Sequence, residues 1–189
     1  LAAPDAELIG ITGAFGNVNV DRGVRNALGI LAMFGRDDVP VYRGCDRGLS
    51  ATEPYEPTWE EHALWHGHNG VGDVTIPATP KHGPAEGNAV NFIIDSVRKH
   101  PKGSPDGEVV VVPTGCSTNI AAALKKARDI VDKITIVTMG GSLTQPGNAS
   151  IFAEANATTD PEATNYMYST AADITMVGLD VTMQALMTE

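Results

Sequence analysis

Short β-branched runs alternate along the chain with segments whose apolar residues recur every three or four positions. Residues 7–12 read as a strand. Val24, Ala27, Leu28 and Leu31 then fall at i, i+3, i+4 and i+7, one stripe of a helix, and Gly35 ends it. Residues 39–42 begin a second, short strand. Val90, Ile93, Ile94 and Val97 stripe a second helix. Residues 108–112 read as a buried strand, apolar on both faces. Ile120, Ala123, Leu124, Ala127, Ile130 and Val131 stripe a third helix, and residues 134–138 form the next strand. Asp160 caps a further helix that has Pro161 at its first position. Residues 174–177 are the last clear strand. This alternation predicts an α/β architecture with parallel strands.

Two stretches interrupt the rhythm. Residues 44–84 are long, hold five prolines and lack a convincing period. Connections of that length in a compact domain usually act as lids or are disordered. Residues 140–159 are the second stretch, rich in Gly, Ser, Thr and Asn. No internal repeat or linker divides the chain, so residues 1–189 are expected to form one domain with residues 44–84 as its lid. Ligands of open α/β sheets sit beyond the carboxyl ends of the strands. That rule selects residues 13–17, 114–119 and 139–156.

Composition narrows the ligand. The 189 residues, 42% hydrophobic, suffice for one α/β domain with a real core. The formal net charge of -10 gives no basic footprint for phosphates. Nucleic acids and acidic membranes are therefore poor partners, and a small neutral ligand fits better. No apolar run approaches the ~20 residues of a membrane span. Cys45 and Cys116 do not make a disulfide framework, which points to a reducing compartment. The start carries no secretory pattern. Leu1 is not a methionine, and residues 1–4 look like the tail of an element already under way. Sequence upstream is therefore expected.

The three strand-end loops offer Asn17, Thr114, Ser117, Thr118, Asn119, Ser142, Asn148, Glu154 and Asn156. They contain one carboxylate, no basic residue and no phosphate-loop lysine. A carboxylate and amides can pair with hydroxyl groups without a charge on the ligand, so a polyol is the better fit. The plainer reading is that these residues cap helices and shape turns.

An ordered set of motifs decides between the two. Gly16-Asn17, Arg25-Asn26-Ala27-Leu28, His66-Gly67, Pro113-Thr114-Gly115 and Thr118-Asn119 come first. Met139-Gly140-Gly141, Gly147-Asn148, Glu154-Ala155-Asn156, Asp160-Pro161-Glu162-Ala163 and Val177-Gly178-Leu179-Asp180-Val181-Thr182 follow. In this order and spacing the chain resembles the inosine-uridine preferring nucleoside hydrolases, along nearly its whole length. The resemblance implies a mostly parallel, Rossmann-like α/β sheet with helices on both faces, here a truncated N-terminal half. It implies a calcium-dependent N-ribohydrolase of nucleoside salvage, which cleaves purine and pyrimidine ribonucleosides to ribose and free base. By the same resemblance Thr114 gives a backbone carbonyl to Ca2+, and Asn148, Glu154 and Asn156 hold the ribose hydroxyls. Met139 lines the sugar pocket. Asn17 helps order the reacting centre, and His66 closes over the nucleobase. The implied partners are a ribonucleoside and either further copies of the chain or a complementing segment.

The departures carry as much weight. The family's aspartate cluster lies upstream of anything in this chain, and a further metal-binding aspartate beside a histidine lies downstream of Glu189. Thr114 is thus the one metal ligand present, and one neutral oxygen cannot hold Ca2+. Asn69 stands where an acidic residue is usual, Ala155 replaces a phenylalanine and Met183 replaces a histidine. The domain is accordingly expected to be a glycosidase whose remaining residues lie elsewhere, with this chain alone inactive. The alternative is a catalytically inactive, truncated binding or structural protein. The absent first strand is expected between residues 7–12 and 108–112, and something is expected to fill its place.

Other features have competing readings. His62, His66 and His68 could form a zinc site, but a Pro-rich loop is poor support for the geometry. Cys116 opens a helix without a nearby histidine, and reads as a small buried side chain. Asn148-Ala149-Ser150 and Asn156-Ala157-Thr158 match the glycosylation pattern. A glycan on either would block a ribose site, which favours a cytoplasmic setting.

Overall fold

The computed structural model describes residues 4–185, without the side chains of residues 59–62, so the His62 part of the zinc reading lies outside it. The described chain forms two compact units. The first runs to Arg47 and continues over Glu53–Phe92; the second holds Gly48–Thr52 and the chain from Ile93 onward.

In the first unit, strand β1 (Ile11–Thr12) pairs in parallel with β2 (Val41–Tyr42), Ile11 opposite Val41 and Thr12 opposite Tyr42. Between them runs helix α1 (Val20–Met33). The Asn19 side chain caps it by accepting the Arg22 amide at 3.1 Å, and Asp21 adds favourable charge to the first turn. Gly35, at φ +65°, ends it as expected, in a conformation that a side chain would strain. The predicted stripe is the buried face. Val24 and Leu31 join Val20, Val39 and Val41 in the core, with Ala27, Leu28, Leu8 and Ile11 packed around them. Each fully buried Val or Leu contributes roughly 1.5–3 kcal/mol. The paired strand segments are shorter than the runs 7–12 and 39–42. Helix α2 (Trp59–His66) stands inside the stretch read as a lid loop without a convincing period. Its Leu64 and Trp65 are exposed, so no apolar stripe announced it. Helix α3 (Ala89–Lys99) begins in this unit, where Phe92 stacks on Tyr42 with ring centroids 4.2 Å apart.

The second unit is a three-stranded parallel sheet in the order β3 (Val110–Val111), β4 (Thr135–Met139), β5 (Asp173–Val177). Val110 faces Thr135, and the β4–β5 register runs from Thr135 opposite Asp173 to Met139 opposite Val177. The central strand is the buried one, with Ile136 and Thr138 inside and Ile134 buried just before it. Helix α4 (Thr118–Lys126) buries Ile120, Ala123 and Leu124 and packs on α6 (Pro161–Tyr168), which buries Ala163 and Met167. The remainder of α3 supplies Ile93, Ile94 and Val97. Two short helices complete the unit, α5 (Ala155–Thr159) before α6 and α7 (Leu179–Thr182) after β5.

Two expectations need correction here. The stripe from Ile120 to Val131 is not one helix: α4 stops at Lys126 and a 3-10 turn covers Arg128–Ile130. Ala127, at φ -131° and ψ 81°, leaves the α conformation and breaks the ladder while Ile130 stays buried. Residues 108–112 are not buried on both faces either. Val110 is 42% exposed and Val112 60%, because β3 is an edge strand paired only with β4 among the described residues. The strands pair in parallel as expected, β1 with β2 and β3 with β4 and β5, and no strand among the described residues lies on the open side of β1 or of β3.

Candidate functional site

The polar residues of the second unit meet at the carboxyl end of β4. Met139 ends that strand, with its amide donating to the Pro113 carbonyl at 2.9 Å. Thr114, the next residue after Pro113, therefore sits at the neighbouring strand end, where it is exposed. Glu154 caps α5 and is only 3% exposed. Its carboxylate accepts three backbone amides, from Gly141 at 2.9 Å, Asn156 at 2.9 Å and Ala157 at 3.0 Å. A carboxylate offers about four acceptor positions. Three are filled, so one remains for a hydroxyl donor. Asn156 donates from Nδ2 to the Met139 carbonyl at 3.2 Å and contacts its sulfur at 3.1 Å. Its Oδ1 accepts no hydrogen bond among the described residues. Asn148 is exposed, and its Oδ1 accepts the Ala155 amide at 2.8 Å, which leaves its Nδ2 as a donor. The cluster thus leaves two acceptors and one donor group unfilled among the described residues.

The backbone around this cluster is tightly folded. Gly147 lies in a turn closed by bonds from its amide to Ile151 O and from Ala149 to Ala153 O. A Cβ on Gly147 would lie 2.3 Å from the carbonyl oxygens of Ser150 and Ala153, so only glycine fits. Burial, and then the Glu154 charge, push the Tyr168 phenol up.

Two aspartates do more than the sequence disclosed. Asp160 was legible as a cap, and it does accept the Ala163 amide at 3.1 Å. It is also buried, and accepts the Thr118 hydroxyl at 2.7 Å and the Leu49 amide at 3.0 Å. Asp180 had no assigned role. Its carboxylate accepts the Thr144 hydroxyl and the amides of Leu143, Thr144 and Gln145. The Thr144 hydroxyl first, then the Leu143 and Thr144 amides, hold its pKa far below the ordinary carboxylate range. The available signal was an aspartate two residues after Gly178, at a strand end. Cys116 is buried, and burial raises its thiol pKa. This agrees with the reading of a small core side chain.

In the first unit, Asn17 is exposed in the loop between β1 and α1. His66 is the last residue of α2, and its carbonyl accepts the Gly72 amide at 2.8 Å. The turn that follows is built by Asn69. Its Oδ1 accepts the amides of Val71 and Asp73, both at 2.9 Å, and its Nδ2 donates to Val74 O at 2.8 Å. Helix α1 holds this turn through Arg22 on the His68 carbonyl and Asn26 on the Asn69 carbonyl. His68 pairs with Asp73 at 3.1 Å, and that hydrogen bond lowers the Asp73 pKa.

Thr114 is the one expected calcium ligand in the chain. Among the described residues no three His, Cys, Asp or Glu side chains come together as a metal site. A single carbonyl falls short of the six to eight oxygens that calcium takes, so the described residues alone do not fit the ion.

The sequence and the fold both have clear relatives. The family model described as inosine-uridine preferring nucleoside hydrolase matches residues 1–189. "Inosine-uridine preferring nucleoside hydrolase" of Crithidia fasciculata is 39% identical over 186 residues, 98% of this chain and 56% of that protein. "Probable uridine nucleosidase 2" of Oryza sativa subsp. japonica is 35% identical, over 99% of this chain and 53% of that protein. The solved "Purine-Preferring Ribonucleoside Hydrolase from Gardnerella vaginalis" superposes with a TM-score of 0.91 at 48% identity, over 98% of this chain and 57% of that one. The chain spans about half the length of the curated relatives it matches. With the ordered motifs and the parallel α/β units, these matches establish that the chain belongs to the inosine-uridine preferring nucleoside hydrolase family.

Proposed function

We propose that this chain is the ribose-binding part of a nucleoside N-ribohydrolase, which splits the N-glycosidic bond of purine or pyrimidine ribonucleosides to ribose and free base. The observation that carries the reading is the meeting of Glu154, Asn156 and Asn148 at one strand end, with free acceptors on the first two. In this reading Glu154 and Asn156 accept the ribose hydroxyls and Asn148 donates to them. Met139 lines the sugar, Asn17 helps order the reacting centre, and His66 lies over the base. The sugar flattens as the bond breaks, so contacts to its hydroxyls serve the transition state more than the ground state. The charge-assisted Glu154 contact is the strongest of the set.

Family membership supports Ca2+ as the cofactor, with Thr114 as one ligand and the others outside this chain. The match runs through both compact units, which supports one domain over residues 1–189, with residues 44–84 as its lid. No helix among the described residues is long and apolar enough to cross a membrane. A cytoplasmic, oligomeric salvage enzyme remains our reading.

The test is free-base release from inosine and uridine, with and without added calcium. Protein of the relatives' full length should turn over, and Glu154→Ala and Asn156→Ala in it should lower kcat as well as raise KM. The 189-residue chain alone should fall far below the ~10 per second of ordinary enzymes. Absence of base release by the full-length protein would sink the proposal.

A further inference from the structure

We propose that Asp180 is a positioning residue for this site: by holding the segment 141–147 it sets Asn148 and Glu154 in their ligand-facing geometry. The inference rests on the ribose-site reading above. Gly141 donates its N–H to Glu154, while Leu143, Thr144 and Gln145 donate theirs to Asp180, at 2.7, 2.8 and 3.1 Å. Two carboxylates thus hold one short segment, Glu154 from its beginning and Asp180 from its middle. The segment then enters the closed turn at Gly147 and Asn148, and the Asn148 carboxamide takes the amide of Ala155, beside Glu154. Displacement of residues 143–145 is therefore transmitted to both ends of the cluster.

Asp180 is itself firmly placed. The Leu179 amide donates to the Gly141 carbonyl at 3.0 Å. A Cβ on Gly178 would lie 2.9 Å from that same oxygen, so the two strand ends are in close approach. The Gln184 side chain donates to the Asp180 carbonyl at 2.6 Å. All four hydrogen bonds of the carboxylate go to residues 143–145. One of its oxygens takes the amides of Thr144 and Gln145 and the Thr144 hydroxyl, and the other takes Leu143. Glu154 spreads three bonds over Gly141, Asn156 and Ala157, whereas Asp180 concentrates four on three consecutive residues. The first is suited to touch a sugar, and the second to hold the backbone that presents it.

The experiment combines amide hydrogen exchange with inosine affinity on the full chain, for wild type, Asp180→Ala, Asp180→Asn, Thr144→Val, Asn148→Ala and the Asp180→Ala/Asn148→Ala double variant. Asp180→Ala should speed exchange about tenfold or more at residues 143–145 and also at Ala155, with α4 and α6 unchanged. It should weaken inosine about tenfold, a charge-assisted effect transmitted through the loop. Asp180→Asn, which keeps one acceptor oxygen, and Thr144→Val, which removes one donor, should fall between. In the double variant the two losses of affinity should not add, because Asp180 acts through Asn148. Unchanged exchange at Ala155, or additive losses, would overturn the inference. If Asp180→Ala does not fold, Thr144→Val decides on the same exchange readout. If the wild-type chain takes no inosine, the ribose reading loses support, while exchange at Ala155 still decides the role of Asp180.

Discussion

Residues 140–156 and residues 44–84 both break the alternation of strands and helices, yet they are held in different ways. The first stretch is tied by acids and a carboxamide that gather its amides: Glu154, Asp180 and Asn148 take seven N–H groups between them, from Gly141, Leu143, Thr144, Gln145, Ala155, Asn156 and Ala157. One of the three, Glu154, is a buried anion. The second stretch is tied around His66 by bonds spanning five residues or fewer, from Asn69 and Asp73, and by two α1 side chains that donate to its carbonyls. His68 and Asp73 there are exposed. A buried carboxylate carries a large desolvation cost unless its bonds are complete. Where it is kept with one acceptor position open, a ligand is the natural partner. Local bonds at an exposed turn set a shape that opens at low cost.

The largest expected effect separates the two stretches directly. Glu154→Ala strands three amides, part of them buried, and should destabilise the second unit by about 3 kcal/mol, since each unsatisfied buried group costs ~1–3 kcal/mol. Denaturant unfolding measures it, and a loss under about 1 kcal/mol would mean that the loop is not held by this residue. Asn69→Ala should cost less, about 1 kcal/mol, because water can reach the freed amides. Its effect should stay within exchange at Val71 and Asp73; spread into α1 would show that the turn is not local.

The smallest expected effect is a pH difference. Asp180 and Asp73 both have lowered pKa values in the folded chain, Asp180 by far the more. A lowered carboxylate contributes stability that is complete above its unfolded value of 3.8 and fades as pH falls through the folded value. Below about pH 4 the Asn69 amide, which Asp73 accepts, should therefore lose protection before those of Leu143 and Thr144. Exchange rates corrected for intrinsic pH dependence test the order, and the reverse order would mean that the Asp180 bonds are weaker than their geometry implies.

Much of this was legible in advance. The stripe of α1 and the start of α6 at Asp160 and Pro161 follow from periodicity and capping, which act over a few residues. The family followed from ordered motifs, since the loops that carry Asn148, Glu154 and Asn156 keep fixed spacing from their strands. Helix α2 was missed because Leu64 and Trp65 face outward and give no stripe. The break after α4 was missed because Ala127 and Ile130 stay on the apolar stripe while the backbone leaves the α conformation.

The sequence by itself determined the parallel α/β class, the family and the identity of the polar residues at the strand ends. Each depends on local pattern or on the order of motifs. Only the tertiary structure decided what those residues do to each other. Glu154 fills three of its acceptor positions with amides up to 13 residues away, and Asp180 reaches back across 35 to 37 residues. Val110 and Val112, apolar in sequence, are exposed because β3 stands at a sheet edge among the described residues. Hydrogen-bond saturation and burial depend on which distant segments come together, and a one-dimensional pattern does not contain that information.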